Sequence, residues 1–152
     1  EWPHAVEPVQ VSPAVRSRWF LAQSSHVVDL AFHLGGRPVD WRCYHGGSLS
    51  WHVESARFAG AGLTDAGATF GYHGDWEGPG RWGLDVVTRN HRLIFQPLEE
   101  LRIMDLGSLD VTVVDVDYRL DQEFKPGVHA QTRSFLAGED PISCSLDEQV
   151  EN

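Results

Sequence analysis

Apolar positions in residues 24–36 recur at the spacing of an amphipathic helix. One side of the helical wheel is formed by Val27, Leu30, Ala31 and Leu34. Ser24 or Ser25 can cap the N-terminus, because a hydroxyl accepts a hydrogen bond from a free amide of the first turn. Gly35 supplies a left-handed residue at the other end, and Pro38 prevents the helix from resuming. The pattern therefore predicts a short helix bounded at both ends.

The middle of the chain alternates between apolar and polar residues, which is the period of a β-strand. The segments that alternate are residues 39–44, 68–76 and 81–89, and strands are also predicted at 56–62, 92–96, 101–106 and 109–116. Short turn sequences rich in Gly, Pro, Asp and Asn separate them, and such turns join antiparallel strands. The pattern predicts one antiparallel sheet of about six strands or more.

Helical signals return at both ends of the chain. Ser12 followed by Pro13 predicts a helical turn as far as about Arg18. A second helix is expected over residues 128–137, with Gly138 as its stop, and a third begins at residue 145 with a capping-box spacing. This order of elements predicts a single α+β domain with an open, mostly antiparallel β-sheet and helices packed on one face.

Three ionisable residues of the first predicted helix lie within roughly 60° of one another on the helical wheel. They are His26, Asp29 and His33. In one interpretation Asp29 only holds a neighbouring histidine on the helix surface. In another, His26 is a general acid or base, kept neutral by the helix dipole because it is placed in the first turn. A third interpretation is a metal site, although no second closely spaced Cys/His pair completes a zinc ligand set.

Composition limits the classes of protein to which this chain can belong. The chain has 152 residues, of which 41% are hydrophobic, and this suits one domain with a core. Mean hydropathy of -0.29 and the lack of a long apolar run argue against a membrane span. The net charge of -10 argues against binding to nucleic acid or to an anionic membrane. Cys43 and Cys144 are far apart, so a reducing, cytoplasmic location without disulfides is expected.

Several segments resemble one enzyme family. Residues 25–36, Ser-His-Val-Val-Asp-Leu-Ala-Phe-His-Leu-Gly-Gly, resemble the His-x-x-Asp helix of the Gfo/Idh/MocA oxidoreductases. The segments Phe-Lys-Pro-Gly at 124–127 and Phe-Leu-Ala-Gly at 135–138 resemble their C-terminal helix. Trp-Glu-Gly-Pro-Gly-Arg-Trp-Gly at 76–83 and the strands occur in the expected order, so the resemblance covers nearly the whole chain.

The resemblance implies that residues 1–152 are a C-terminal domain for substrate binding and oligomerisation. It further implies an N-terminal Rossmann domain that binds NAD or NADP. That domain is expected to be absent from this chain, because no G-x-G-x-x-G follows a strand here. Lys125 lacks the preceding Glu of the family's catalytic lysine segment, and that role is not transferred. Many members carry an Asp four residues before the histidine, where this chain has Ala22.

Two functions are therefore expected as alternatives. The first is part of an NAD(P)-dependent oxidoreductase of a sugar-like or polyol substrate, which forms homo-oligomers through the open sheet face and is inactive as this segment alone. His26 would be catalytic, with substrate contacts at Asp29, Tyr72, His73, Trp76 and Arg81. The second is a carbohydrate-binding or protein-interaction module without catalysis, suggested by a platform of aromatic residues that also includes Trp82. The same aromatics also fit an ordinary sheet core.

Overall fold

The structure is a computed structural model that describes residues 12–52, 54–138 and 145–151. Its helices are α1 (Pro13–Arg16), α2 (Trp19–Gly35), α3 (Arg119–Glu123), α4 (Val128–Ala137) and α5 (Leu146–Glu151). Its strands are β1 (Pro38–Gly46), β2 (Arg57–Thr64), β3 (Thr69–Asp75), β4 (Leu84–Val87), β5 (His91–Phe95), β6 (Leu101–Asp105) and β7 (Thr112–Val113). The chain divides into two compact units, and the boundary lies between Trp82 and Gly83.

The first unit is an antiparallel sheet in the order β1-β2-β3, with α2 on one face. The helix packs through Phe20, whose ring centroid lies 4.8 Å from that of Phe58 on β2. One turn from the other end, Phe32 meets Phe70 of β3 edge to face at 5.1 Å. These contacts confirm that the predicted helix covers one face of the sheet.

Two glycines of β2 allow aromatic rings from β3 to lie across the middle strand. Gly60 is opposite Tyr72 in the register, and Gly62 is opposite Phe70. A Cβ on Gly60 would lie 2.7 Å from Cζ of Tyr72, and one on Gly62 would lie 2.8 Å from Cζ of Phe70. Because neither position leaves room for a side chain, the two rings fill the space between β2 and α2.

The end of α2 is tied to the β2–β3 hairpin. Thr64 donates its hydroxyl to the carbonyl of Gly35 at 2.6 Å, and the Arg37 amide donates to Asp65 Oδ1 at 2.8 Å. Gly36 ends the helix with φ of 88°, a conformation that favours glycine. The glycine with positive φ that ends the helix is therefore Gly36, one residue later than the predicted Gly35.

The buried apolar core of the described residues lies in the first unit. It contains Trp19, Leu49, Ala56 and Trp76. Trp19 contacts Trp51 edge to face at 4.6 Å and Trp76 at 6.0 Å. Its burial explains why α2 begins at Trp19 rather than near Ser24: extending the helix places this indole in the core, and Ser24 becomes a buried position inside the helix.

The second unit is an antiparallel sheet in the order β4-β5-β6-β7, followed along the chain by three helices. Bidentate hydrogen bonds join Arg92 to Asp85 across β4 and β5, and His91 Nδ1 lies 2.9 Å from Asp105 Oδ1 across β5 and β6. None of its described residues is fully buried. Their apolar side chains are half-buried or exposed.

The α+β class with antiparallel sheets is confirmed, and the seven strands found in the described residues agree with the expected six or more. The expectation of one continuous sheet is wrong, because hydrogen bonding divides the strands into two sheets. Helix α4 has the predicted bounds. Strand β7 is shorter than predicted, with only Thr112 and Val113 in its ladder. The expected arm at residues 1–11 lies outside the described residues.

No helix of residues 12–52, 54–138 and 145–151 has the length and apolar character needed to cross a membrane.

Candidate functional site

The candidate catalytic residue, His26, lies in the middle of α2. The helix starts at Trp19, so His26 is in its second turn rather than its first, where the sequence placed it. The field of a helix N-terminus acts mainly within the first turn, and the argument that it keeps His26 neutral is therefore wrong. The imidazole is exposed, as is that of His33, while Asp29 between them is half-buried.

The ring of Trp82 lies beside His26. Their centroids are 4.5 Å apart and their planes are at 90°, an edge-to-face contact. Trp82 is half-buried and also packs against the buried core. A ring fixed by the core therefore restricts the orientation of an exposed imidazole. The two residues are 56 positions apart, and no local pattern in the sequence reveals their contact.

Tyr72 faces α2, where its ring contacts Phe20 at 5.7 Å. It lies across Gly60 from Cys43 of β1, since the register places all three on one face. Burial, followed by a hydrogen bond to the Cys43 thiol, raises the pKa of Tyr72 from 10.0 to about 12. At neutral pH the phenol is consequently a proton donor engaged within the fold and not a base.

The other predicted contact residues do not meet at one place. His73 follows Tyr72 on β3 and is exposed on the opposite face of the sheet, because successive strand residues alternate. Trp76 is only 8% exposed and belongs to the core. The expected platform of Tyr72, His73, Trp76 and Trp82 is therefore wrong as a single surface. Arg81 is exposed in the segment without helix or strand that precedes Gly83.

His52 is a buried titratable residue that the sequence gave no reason to select. Its Nδ1 lies 2.9 Å from the carbonyl oxygen of Ser55, so the ring closes a short loop between β1 and β2. Its Nε2 is buried and has no hydrogen-bond partner within the described part of the chain. A histidine followed by serine three residues later is too common a spacing to single out.

The described residues fit neither a metal cluster nor a dinucleotide site of the Rossmann type. No three His, Cys, Asp or Glu side chains within residues 12–52, 54–138 and 145–151 are grouped so as to hold a metal ion. All strand pairs in the same ranges are antiparallel. A dinucleotide site of the Rossmann type needs parallel strands joined by a helix, and these residues do not fit it.

Comparisons with known proteins give a likeness of fold. No protein-family model matches this chain, and no curated protein matches it in sequence. Among solved structures, UDP-N-acetylglucosamine 3-dehydrogenase GnnA from Acidithiobacillus ferrooxidans is similar, with a TM-score of 0.67 and 14% sequence identity. The similarity covers 92% of this chain and 45% of that one, so the chain spans less than half the length of this neighbour. At this identity the likeness is one of fold: the chain has the α+β fold of part of this dehydrogenase.

Proposed function

We propose that this chain is the substrate-binding and oligomerisation domain of an NAD(P)-dependent oxidoreductase that acts on a sugar-like or polyol substrate. The observation that carries the proposal is the match of nearly the whole chain to part of a sugar-nucleotide dehydrogenase. The nicotinamide site belongs to a separate Rossmann domain in this proposal, because the antiparallel strands described here do not fit one. Hydride chemistry is supplied by that cofactor when it is bound.

Within this proposal, His26 takes up or returns the proton of the reacting hydroxyl. Histidine suits this task because its ordinary pKa, about 6.5, lies close to neutral pH. The ring is exposed on α2, and Trp82 limits the orientations that it can adopt. Asp29 lies one turn further along the same helix and is half-buried. Trp82 takes over the orienting role that an acidic residue at the position of Ala22 plays in other members of the family.

Substrate contacts are proposed for the groups around this histidine. Arg81 precedes Trp82 and is exposed, so its guanidinium can donate hydrogen bonds to hydroxyl or phosphate oxygens. Asp29 can accept hydrogen bonds from hydroxyls. Trp76 and Tyr72 are assigned the packing beneath the site, since the first is in the core and the second faces α2.

The open face of the three-stranded sheet, opposite α2, is proposed to associate with a second copy. Ala61 lies opposite Gly71 at its centre, and Ala59 lies opposite His73. All four are exposed. Small side chains make this face flat, and a flat face permits close packing of two sheets.

The binding experiment uses NMR of the 152-residue chain with UDP-N-acetylglucosamine and, separately, myo-inositol and NAD+. At least one sugar-type probe should shift the indole N–H signal of Trp82 and the imidazole signals of His26. His26→Ala should raise the Kd of that probe by about tenfold, in line with the loss of one good hydrogen bond. His33→Ala is the matched control and should leave the Kd within about twofold.

The proposal predicts that this chain alone does not bind NAD+ tightly and that the reaction of the joined protein depends on His26. Micromolar binding of NAD+ to this chain would contradict the separate nicotinamide site. In a protein that joins this chain to the proposed Rossmann domain, His26→Ala should lower kcat by roughly 10²- to 10⁴-fold and His33→Ala much less. Small, equal losses for the two variants would overturn the assignment of His26.

A further inference from the structure

We propose that β1 is a pairing edge, through which two copies of this chain join antiparallel across a two-fold axis centred on Trp41. Strand β1 has nine residues and is an outer strand of its sheet, paired with β2 on one side. Within the described residues no strand pairs with its other side. This surface is the edge of the sheet and is distinct from the open face considered above.

The register shows which backbone groups point outward. Hydrogen bonds from Trp76 N to Ala56 O and from Thr64 N to Ala68 O show that even-numbered residues of β2 bond to β3. Because bonding residues alternate along an antiparallel strand, the odd-numbered residues of β2 bond to β1. Their partners there include Arg42, which is opposite Ala61. The N–H and C=O groups of Trp41 and Cys43 therefore point to the open edge.

Such a row of unpaired backbone groups is a template for another strand. Monomeric proteins commonly interrupt an exposed edge with a proline or a bulge. In β1 the register shift falls between Pro38 and Asp40, at one end, and residues 40–45 pair with β2 without interruption. The central part of the edge is regular enough to continue the sheet.

The side chains of β1 are complementary to a second β1. Asp40 and Arg42 lie on the same face and form no ion pair with any residue in the described part of the chain. In a two-fold pair centred on Trp41, Asp40 of each copy lies opposite Arg42 of the other. These are non-hydrogen-bonded positions, where opposite side chains approach most closely. The arrangement forms two ion pairs.

Alternative registers lack this match. A pair centred on Cys43 places Arg42 opposite Tyr44, with no opposite charge to meet it. The proposed pair also covers Trp41, which is 54% exposed and would lie beside the same residue of the other copy. Asp40 and Arg42 cancel each other, so the edge is locally neutral in a chain whose net charge of -10 otherwise repels its copies.

The test is a charge exchange followed by sedimentation equilibrium between about 1 and 100 μM, on a 152-residue reference chain that carries Gly71→Arg. Gly71 lies on the open face two strands away from β1, so the added charge prevents association through the face and leaves the edge unchanged. The reference chain should show a monomer–dimer equilibrium in this range. Asp40→Arg should raise the dimer Kd at least tenfold, because Arg then faces Arg twice. The double variant Asp40→Arg with Arg42→Asp should restore the original Kd. A monomeric Gly71→Arg chain, which would assign association to the open face, or no recovery in the double variant, would overturn the proposal.

One more variant and the unsubstituted chain separate the edge from the open face. Cys43→Pro removes an amide that points away from β2, so it should abolish the dimer while circular dichroism and the melting temperature report an intact monomer. If that variant does not fold, the charge exchange still decides. The unsubstituted chain, whose open face is also available, should form assemblies larger than a dimer that are absent in the Gly71→Arg chain. If no larger assembly forms, association through the open face is overturned while edge pairing stands.

Discussion

Replacing Gly60 by alanine should destabilise the first unit because it forces a methyl group into the space filled by Tyr72. The new Cβ would lie 2.7 Å from Cζ of Tyr72 and 2.8 Å from the carbonyl oxygen of Arg42. The carbonyl belongs to the β1–β2 ladder and has little freedom, so the phenol ring must move. Overpacking of this kind costs about 1–3 kcal/mol. A further ~1 kcal/mol follows if the displaced ring exposes about 40 Å² of apolar surface.

The expected loss in the free energy of unfolding is therefore about 2–4 kcal/mol, measured by urea denaturation. The matched control is Gly71→Ala on β3, where the nearest atom to the new Cβ is the Gly60 oxygen at an ordinary 3.7 Å. That variant should be more stable by about 0.5–1 kcal/mol, because alanine loses less backbone entropy than glycine in a strand. Equal effects of the two substitutions would refute the reasoning that the Tyr72 ring occupies the space above Gly60.

Two other substitutions test the hairpin contact and the phenol. Gly36→Ala should lower the free energy of unfolding by about 3 kcal/mol, since φ is 88° and the new Cβ would lie 2.6 Å from Asp65 Oδ1. Its control, Gly35→Ala, places a Cβ with nothing within 4 Å, and in the same denaturation assay it should be neutral or stabilising by up to ~1 kcal/mol. Similar losses in both would contradict the assignment of the helix end to Gly36. Between about pH 10 and 12 the unfolded chain should bind fewer protons than the folded one, because folding raises the pKa of Tyr72 from 10.0 to about 12. The free energy of unfolding should accordingly fall as pH rises through this window, and Tyr72→Phe should flatten the fall; an unchanged slope would show that the phenol is not shielded.

Elements whose ends are marked by local chemistry could be predicted from the sequence. Helix α4 begins after Gly127 and ends before Gly138, which adopts the left-handed conformation expected of a glycine that ends a helix. The Ser12 hydroxyl caps α1 by accepting from the Val15 amide at 3.4 Å. The alternation of β3 likewise predicted that Phe70 and Tyr72 share a face. In these segments the signal and the structure that it specifies lie within a few residues of each other.

Tertiary structure decided the features that depend on distant partners. Ser24 has the chemistry of a helix cap, but burial of Trp19 against Trp51 and Trp76 extends α2 beyond it. The position of His26 in that helix changes with it. The contact of His26 with Trp82 links two elements whose separation in sequence hides it.

The same limit applies to the sheets and to the aromatic residues. Alternation predicts strands and their faces, but hydrogen bonding between particular strands divided them into two sheets. The same pairing makes β1 an outer strand of its sheet. The sequence does not distinguish Trp76 from Trp82, yet Trp76 is buried in the core, whereas Trp82 is half-buried beside the core and contacts His26. Which ring is covered depends on what packs above it, and that is set by contacts between segments far apart in the chain.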